Sequence, residues 1–142
     1  MRVPPVCRTD AATIPYVVMP NAGPAKVNDQ PFDAKEFHEK TNLAVGDYGV
    51  VIANGKVVSV VIADAGAFNK IGEASTALLM RLSPDGKPTP IDGGAITILF
   101  PGTRSLFPRN ADTFAGLMCK AAAGLYAKLI GSTTGPQPVC AP

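Results

Sequence analysis

Eleven Asp and Glu occur in this chain of 142 residues, and two of them sit where an acid can do chemistry. Asp64 closes a strongly apolar run, Val57-Val58-Ser59-Val60-Val61-Ile62-Ala63-Asp64. Glu73 follows nine positions later, between Gly72 and Ala74-Ser75-Thr76-Ala77-Leu78-Leu79. A buried strand delivers its last side chain at an open rim, where a polar group meets a ligand. A carboxylate in a first helical turn interacts favourably with the helix dipole. The loop 65–71 returns the chain, so both acids can face one cleft. Two carboxylates across a cleft are the minimal equipment for glycoside hydrolysis: one protonated to serve the leaving oxygen, one ionised to activate water. A separation of about 6.5–9.5 Å leaves room for that water and inverts the anomeric centre, whereas about 5 Å gives retention. Spacing alone favours plainer roles, with Asp64 capping a turn and Glu73 capping the helix. Other acids have structural settings: Asp47 in a Gly-Asp turn, Asp85 and Asp92 beside glycines, Glu36 and Glu39 on a solvated helix face.

The elements that must hold this pair are short and heavily punctuated, because the chain carries 14 Gly and 14 Pro. Tyr16–Met19 reads as a strand stopped by Pro20, and 20–33 reads as loop. Ala34–Lys40 reads as a short helix with Asp33 as N-cap and Phe37 facing inward. Tyr48–Ala53 and Lys56–Ala63 are Val/Ile-rich runs joined by Asn54-Gly55, the strongest short hairpin signal, since both residues accept the positive φ of a type I′ turn. Ala74–Leu82 reads as a helix ended by Ser83-Pro84-Asp85-Gly86, and Ala95–Phe100 as a strand ended by Pro101-Gly102. Asn110–Ile130 is the longest helical pattern, with Phe114, Leu117, Met118, Ala121, Leu125 and Leu129 as its inner stripe and Gly131 as its C-cap. Strands follow strands directly, which suits a small barrel with helical additions better than a βαβ sheet.

The segment Val57–Leu82 (VVSVVIADAGAFNKIGEASTALLMRL) resembles the signature of the glycoside hydrolase family 75 chitosanases. Their motif reads roughly Gly-Asp-Thr-Gly-Pro, a short spacer, then Ile-Gly-Glu-Ala-Ser and a small helix. Ile71-Gly72-Glu73-Ala74-Ser75 matches the second block unchanged, and Asp64 takes the place of the motif aspartate within Ala63-Asp64-Ala65-Gly66-Ala67. Leu43–Ala53 and Ile96–Pro108 resemble the family's flanking strands, so the likeness covers about 16–109. It implies that Asp64 and Glu73 are the catalytic pair of an inverting, endo-acting chitosanase-type hydrolase; which of the two is the general acid stays open, and Glu73 is assigned that role here with Asp64 activating water. It also implies a mainly β fold: a six-stranded double-psi-like β-barrel, a short helix after the catalytic loop and a C-terminal helix over 110–131, followed by a tail over 132–142. The implied partner is an amino-sugar polysaccharide, chitosan or a related glycan. Peptidoglycan stays open, because a polycation calls for an acidic cleft and Lys70 lies between the two acids.

Around the pair, Tyr48 and Phe68 are candidates to stack on sugar rings. Lys70, Ser75 and Arg104 are candidates to contact substrate, although Ser75 equally fills a helix turn. Asp47, at a strand start, and His38, on the short helix, read as structural. Two other functions fit the same pattern: a glycan-binding barrel that does not cleave, and a secreted protein-interaction module such as an effector or inhibitor that uses the apolar 110–130 helix.

Composition narrows the field. With 46% hydrophobic and 17% charged residues the chain is a folding domain, here a single one. Thirteen Lys+Arg against eleven Asp+Glu, a net +2 with no basic cluster among aromatics, argue against nucleic acid. No apolar run reaches the roughly 18–20 residues of a membrane span. The absence of Trp and a single His leave a histidine metal site or a Ser-His-Asp triad short of residues, so neither metal nor cofactor is expected. Cys7, Cys119 and Cys140 have no metal-ligand spacing. One disulfide is expected, with Cys119–Cys140 the favoured pair, as in exported proteins that staple loose ends. The start of the chain holds no apolar leader, so the chain is either cytoplasmic or a mature form whose leader has been replaced by Met1. The low Lys content and the Pro-rich tails suit the second, and the expectation is a secreted or periplasmic protein acting as a monomer.

Overall fold

The computed structural model describes residues 10–20, 24–27, 30–66, 72–106, 111–132 and 134–140. Its described residues form a small α/β fold: a mixed four-stranded sheet, a separate two-stranded ribbon and three helices. The strands are β1 (Tyr16–Pro20), β2 (Pro24–Val27), β3 (Gln30–Asp33), β4 (Tyr48–Ala53), β5 (Lys56–Gly66) and β6 (Ile96–Phe100). The helices are α1 (Ala34–Thr41), α2 (Thr76–Leu82) and α3 (Ala111–Ile130).

The expected hairpin is the centre of the sheet. Asn54 and Gly55 take φ of 51° and 72°, and the turn they make pairs β4 with β5 antiparallel from Tyr48↔Val61 to Ala53↔Lys56. β6 adds to the outer side of β4, and β1 pairs parallel with β5, giving the order β1-β5-β4-β6. Gly49 permits the close approach of β6, because a Cβ there would lie 2.3 Å from the Ile98 carbonyl oxygen.

Each face of the sheet has its own core. Val17, Met19, Val58, Val60, Ile62, Leu78 and Leu82 form the one under α2. Tyr48, Val50, Val57, Val61, Met118, Ala122 and Tyr126 form the one under α3. Residues 57 and 61 face one way and 58, 60 and 62 the other, the period of two that a strand imposes. β5 is buried on both faces, which is why its run lacks polar alternation.

Several expectations change here. The six-stranded barrel is not closed among the described residues. Six strands are present, but β2 and β3 pair only with each other, and helices rather than further strands cover the two faces of the sheet. The 20–33 segment holds that ribbon instead of continuous loop; its Pro and polar residues hide the strand signal, and a two-stranded antiparallel ribbon does not need an apolar run. α1 starts as expected, with Asp33 accepting a hydrogen bond from the Glu36 N–H at 3.1 Å, and Asn42 ends it in the left-handed region. α2 starts two residues later than expected. On α3, Met118, Cys119, Ala122 and Tyr126 are buried, whereas Leu117 and Leu129 are 56% and 59% exposed, so the inward stripe is rotated by about one residue. The rotation puts Cys119 inside, where it forms a disulfide with Cys140, and Gly131 ends the helix at φ 66°. No helix among the described residues is long and apolar enough to cross a membrane.

Candidate functional site

β1 is flanked on both sides, and this decides where the two acids go. On one side Val17 pairs with Ile62 and Val18 with Asp64, so Ala63 is skipped. On the other side Val17 bridges Ala74 in antiparallel fashion, and the Val18 N–H donates to the Glu73 carbonyl at 3.0 Å. Asp64, Val18 and Glu73 therefore stand in one row across three adjacent backbones. Asp64 and Glu73 lie two strand spacings apart, about 10 Å between backbones.

The skipped residue sets the face. Without it Asp64 would follow Ile62 at a period of two and point into the core under α2. One extra residue reverses every later side chain. Val17 belongs to the core under α2, so Val18 and its partner Asp64 point to the opposite face, beyond the end of the α3 core. The Glu73 carboxylate reaches the same place: a Cβ added to Gly66 would lie 2.5 Å from Val18 Cγ1 and 3.0 Å from Glu73 Oε2. Val18 and the bare backbone of Gly66 are thus the floor between the acids.

Both acids are exposed. Asp64 Oδ1 accepts a hydrogen bond from the Ala65 N–H at 2.8 Å, the turn-type contact that spacing alone anticipates. Glu73 is not in the first turn of the helix. It lies in the extended segment before it, and Ser75 is the N-cap. The helix dipole is accordingly not what holds Glu73; the rung with Val18 is.

The remaining candidates divide. Ser75 is buried: its Oγ accepts from the Leu78 N–H at 3.2 Å and from the Tyr16 N–H at 2.9 Å, joining α2 to β1. It holds the Glu73 segment in place with a hydroxyl already engaged and shut off from solvent. Tyr48 is also not a stacking platform, since it is fully buried against Val61 in the α3 core, with no partner for its hydroxyl. That burial pushes its phenol above the ordinary value. Arg104 has an exposed side chain, but its backbone N–H donates to Asp47 Oδ1 at 2.9 Å and its Nη1 to Asp47 Oδ2 at 3.5 Å. It closes the Asp47 turn instead of joining the row of acids. Asp47 also accepts from the Ala44 N–H at 2.9 Å and is fully buried, so it is structural as expected. His38 is structural too, its Nε2 lying 2.7 Å from the Pro20 carbonyl oxygen. Phe68 and Lys70 lie outside the described residues.

Gly66 is the residue that sequence reasoning passed over. Its signal was present, as the second residue after Asp64 and the glycine of the family motif, but the need for a missing side chain shows only once Glu73 arrives from across β1. Among the described residues no group of three His, Cys, Asp or Glu gathers to hold a metal. Compared with known proteins, the chain matches no family model and no curated sequence.

Proposed function

We propose that the chain is a glycoside hydrolase of the chitosanase type, acting by inversion on a β-1,4-linked amino-sugar glycan with Asp64 and Glu73 as its acids. The observation that carries this reading is the Asp64–Val18–Glu73 row: two exposed carboxylates on one face, with a floor of Val18 and Gly66 between them. Side chains rising from backbones about 10 Å apart reach the separation that admits a water beside the sugar. Glu73 gives its proton to the leaving oxygen as the glycosidic C–O bond breaks. Asp64 takes a proton from water as the new C–O bond forms on the opposite face of the ring, so the products carry the inverted anomeric configuration. The Cys119–Cys140 disulfide supports an exported protein, where such glycans are met.

Reducing-end formation from chitosan, chitin and peptidoglycan tests this directly. Cleavage of one of the three is expected, with Asp64→Asn and Glu73→Gln each lowering it by about 10²–10⁴-fold. Unchanged cleavage in both variants, or saturable glycan binding with no reducing ends after long incubation, would overturn the proposal.

A further inference from the structure

The opposite end of β5 carries a second concave feature, unrelated to the acids. A groove of about 550 Å³ runs beside the β4–β5 hairpin, between the start of β5 and the C-terminal tail. Lys56, Val57, Val58, Arg81, Val139 and Cys140 are among its lining residues. The size falls within the range of small-molecule sites. The Cys119–Cys140 disulfide anchors the tail that makes the outer wall. Val139, on that wall, is 86% exposed although it is apolar.

Among the described residues the lining contains two cations and no carboxylate. The Lys56 charge is already engaged: its Nζ donates to the Ser83 carbonyl at 2.6 Å, and it acts on Asp85. Arg81, in the last turn of α2, is different. It is half-buried, and no carboxylate pairs with it among the described residues. Burial alone acts on its guanidinium and lowers its pKa from the ordinary value. A cation partly withdrawn from water with nothing opposite it has lost hydration without compensation. The planar fork of arginine regains most from a carboxylate, which it can bind through two parallel hydrogen bonds.

We infer that this groove binds a small organic carboxylate, the acid group paired with Arg81 and the apolar body laid between Val139 and the edge of β5 at Val57 and Val58, which β1 does not cover. The inference is independent of glycan cleavage, since Asp64 lies eight residues further along β5 than Lys56.

Titration with 2-naphthoate, followed through the valine methyl signals by NMR, tests it, with the uncharged 2-naphthamide as control. For a ligand of this size the expected Kd is on the order of 1 mM. Shifts should centre on Val57, Val58 and Val139, and the amide should bind at least tenfold more weakly. Arg81→Gln should bring the two ligands to equal affinity, and inorganic phosphate should fail to displace the naphthoate. Should Arg81→Gln not fold, the acid–amide comparison on the unaltered protein decides by itself. Equal affinity of acid and amide there, shifts centred elsewhere, no saturation, or displacement by phosphate would each overturn the inference.

Discussion

Asp47, in the turn that leads into β4, and Asp64, on the neighbouring β5, lie at the same end of one sheet, where the Ile62 N–H of β5 donates to the Asp47 carbonyl at 2.9 Å. Their side chains end in opposite states. Asp47 is fully buried and takes two backbone N–H donors and the Arg104 guanidinium. Asp64 is exposed and, among the described residues, takes a single hydrogen bond, from its own neighbour. A carboxylate withdrawn from water must be saturated with donors or it destabilises the fold. One left at the rim keeps its remaining lone pairs for something else. The difference teaches that, among the acids of this chain, available lone pairs mark the candidate for chemistry better than depth does.

Substitution can break this comparison, and the largest effect is expected at Asp47. Asp47→Ala leaves two buried N–H groups without an acceptor and should cost about 3 kcal/mol. Thermal unfolding should then fall by about 10 °C. A change of only a degree or two would mean that water replaces the carboxylate freely.

At the other region the effect should move from stability to activity. Gly66→Ala places a methyl group 2.5 Å from Val18 Cγ1 and 3.0 Å from Glu73 Oε2, so the valine must shift and the flexible carboxylate is forced aside. A misplacement of about 1 Å can cost on the order of 10²-fold in rate. Glycan cleavage should therefore drop at least tenfold, more than the accompanying loss of folded protein accounts for. Loss of activity only in proportion to loss of folded protein would make Gly66 a structural residue.

The smallest effect is expected from Asp64→Asn on stability. Its single exposed hydrogen bond should be worth no more than about 0.5 kcal/mol, as for surface positions generally. A large destabilisation measured by urea unfolding would place Asp64 with Asp47 and remove the contrast.

The local parts of this fold were legible because each is decided by neighbours in the chain. Asn54-Gly55 sets its turn through the φ each residue tolerates, Asp33 caps α1 through a bond three residues long, and Gly131 ends α3 through its left-handed φ. The apolar content of β5 announced a buried strand; that both of its faces are covered by helices shows only in the structure. Less could be read at α3, where Leu117 is as apolar as Met118 and only packing against β4 and β5 chooses between them. Tyr48 and Ser75 misled for the same reason: aromatic and hydroxyl side chains serve a core or a cap as readily as a ligand, and their types carry no depth.

What the chain dictates by itself is that Asp64 closes an apolar run and Glu73 stands just before a helical pattern, since both follow from propensity and patterning over a few residues; that β5 continues past Asp64 to Gly66 is not among them. Tertiary structure alone decided that they share one row and one face. The extra residue at Ala63, seen only against the register of β1, turns Asp64 out of the α2 core, and the antiparallel rung at Val18 brings Glu73 beside it. Both depend on which strand lies next to which, a choice made by burying surface far apart in sequence, and short-range spacing holds no record of it.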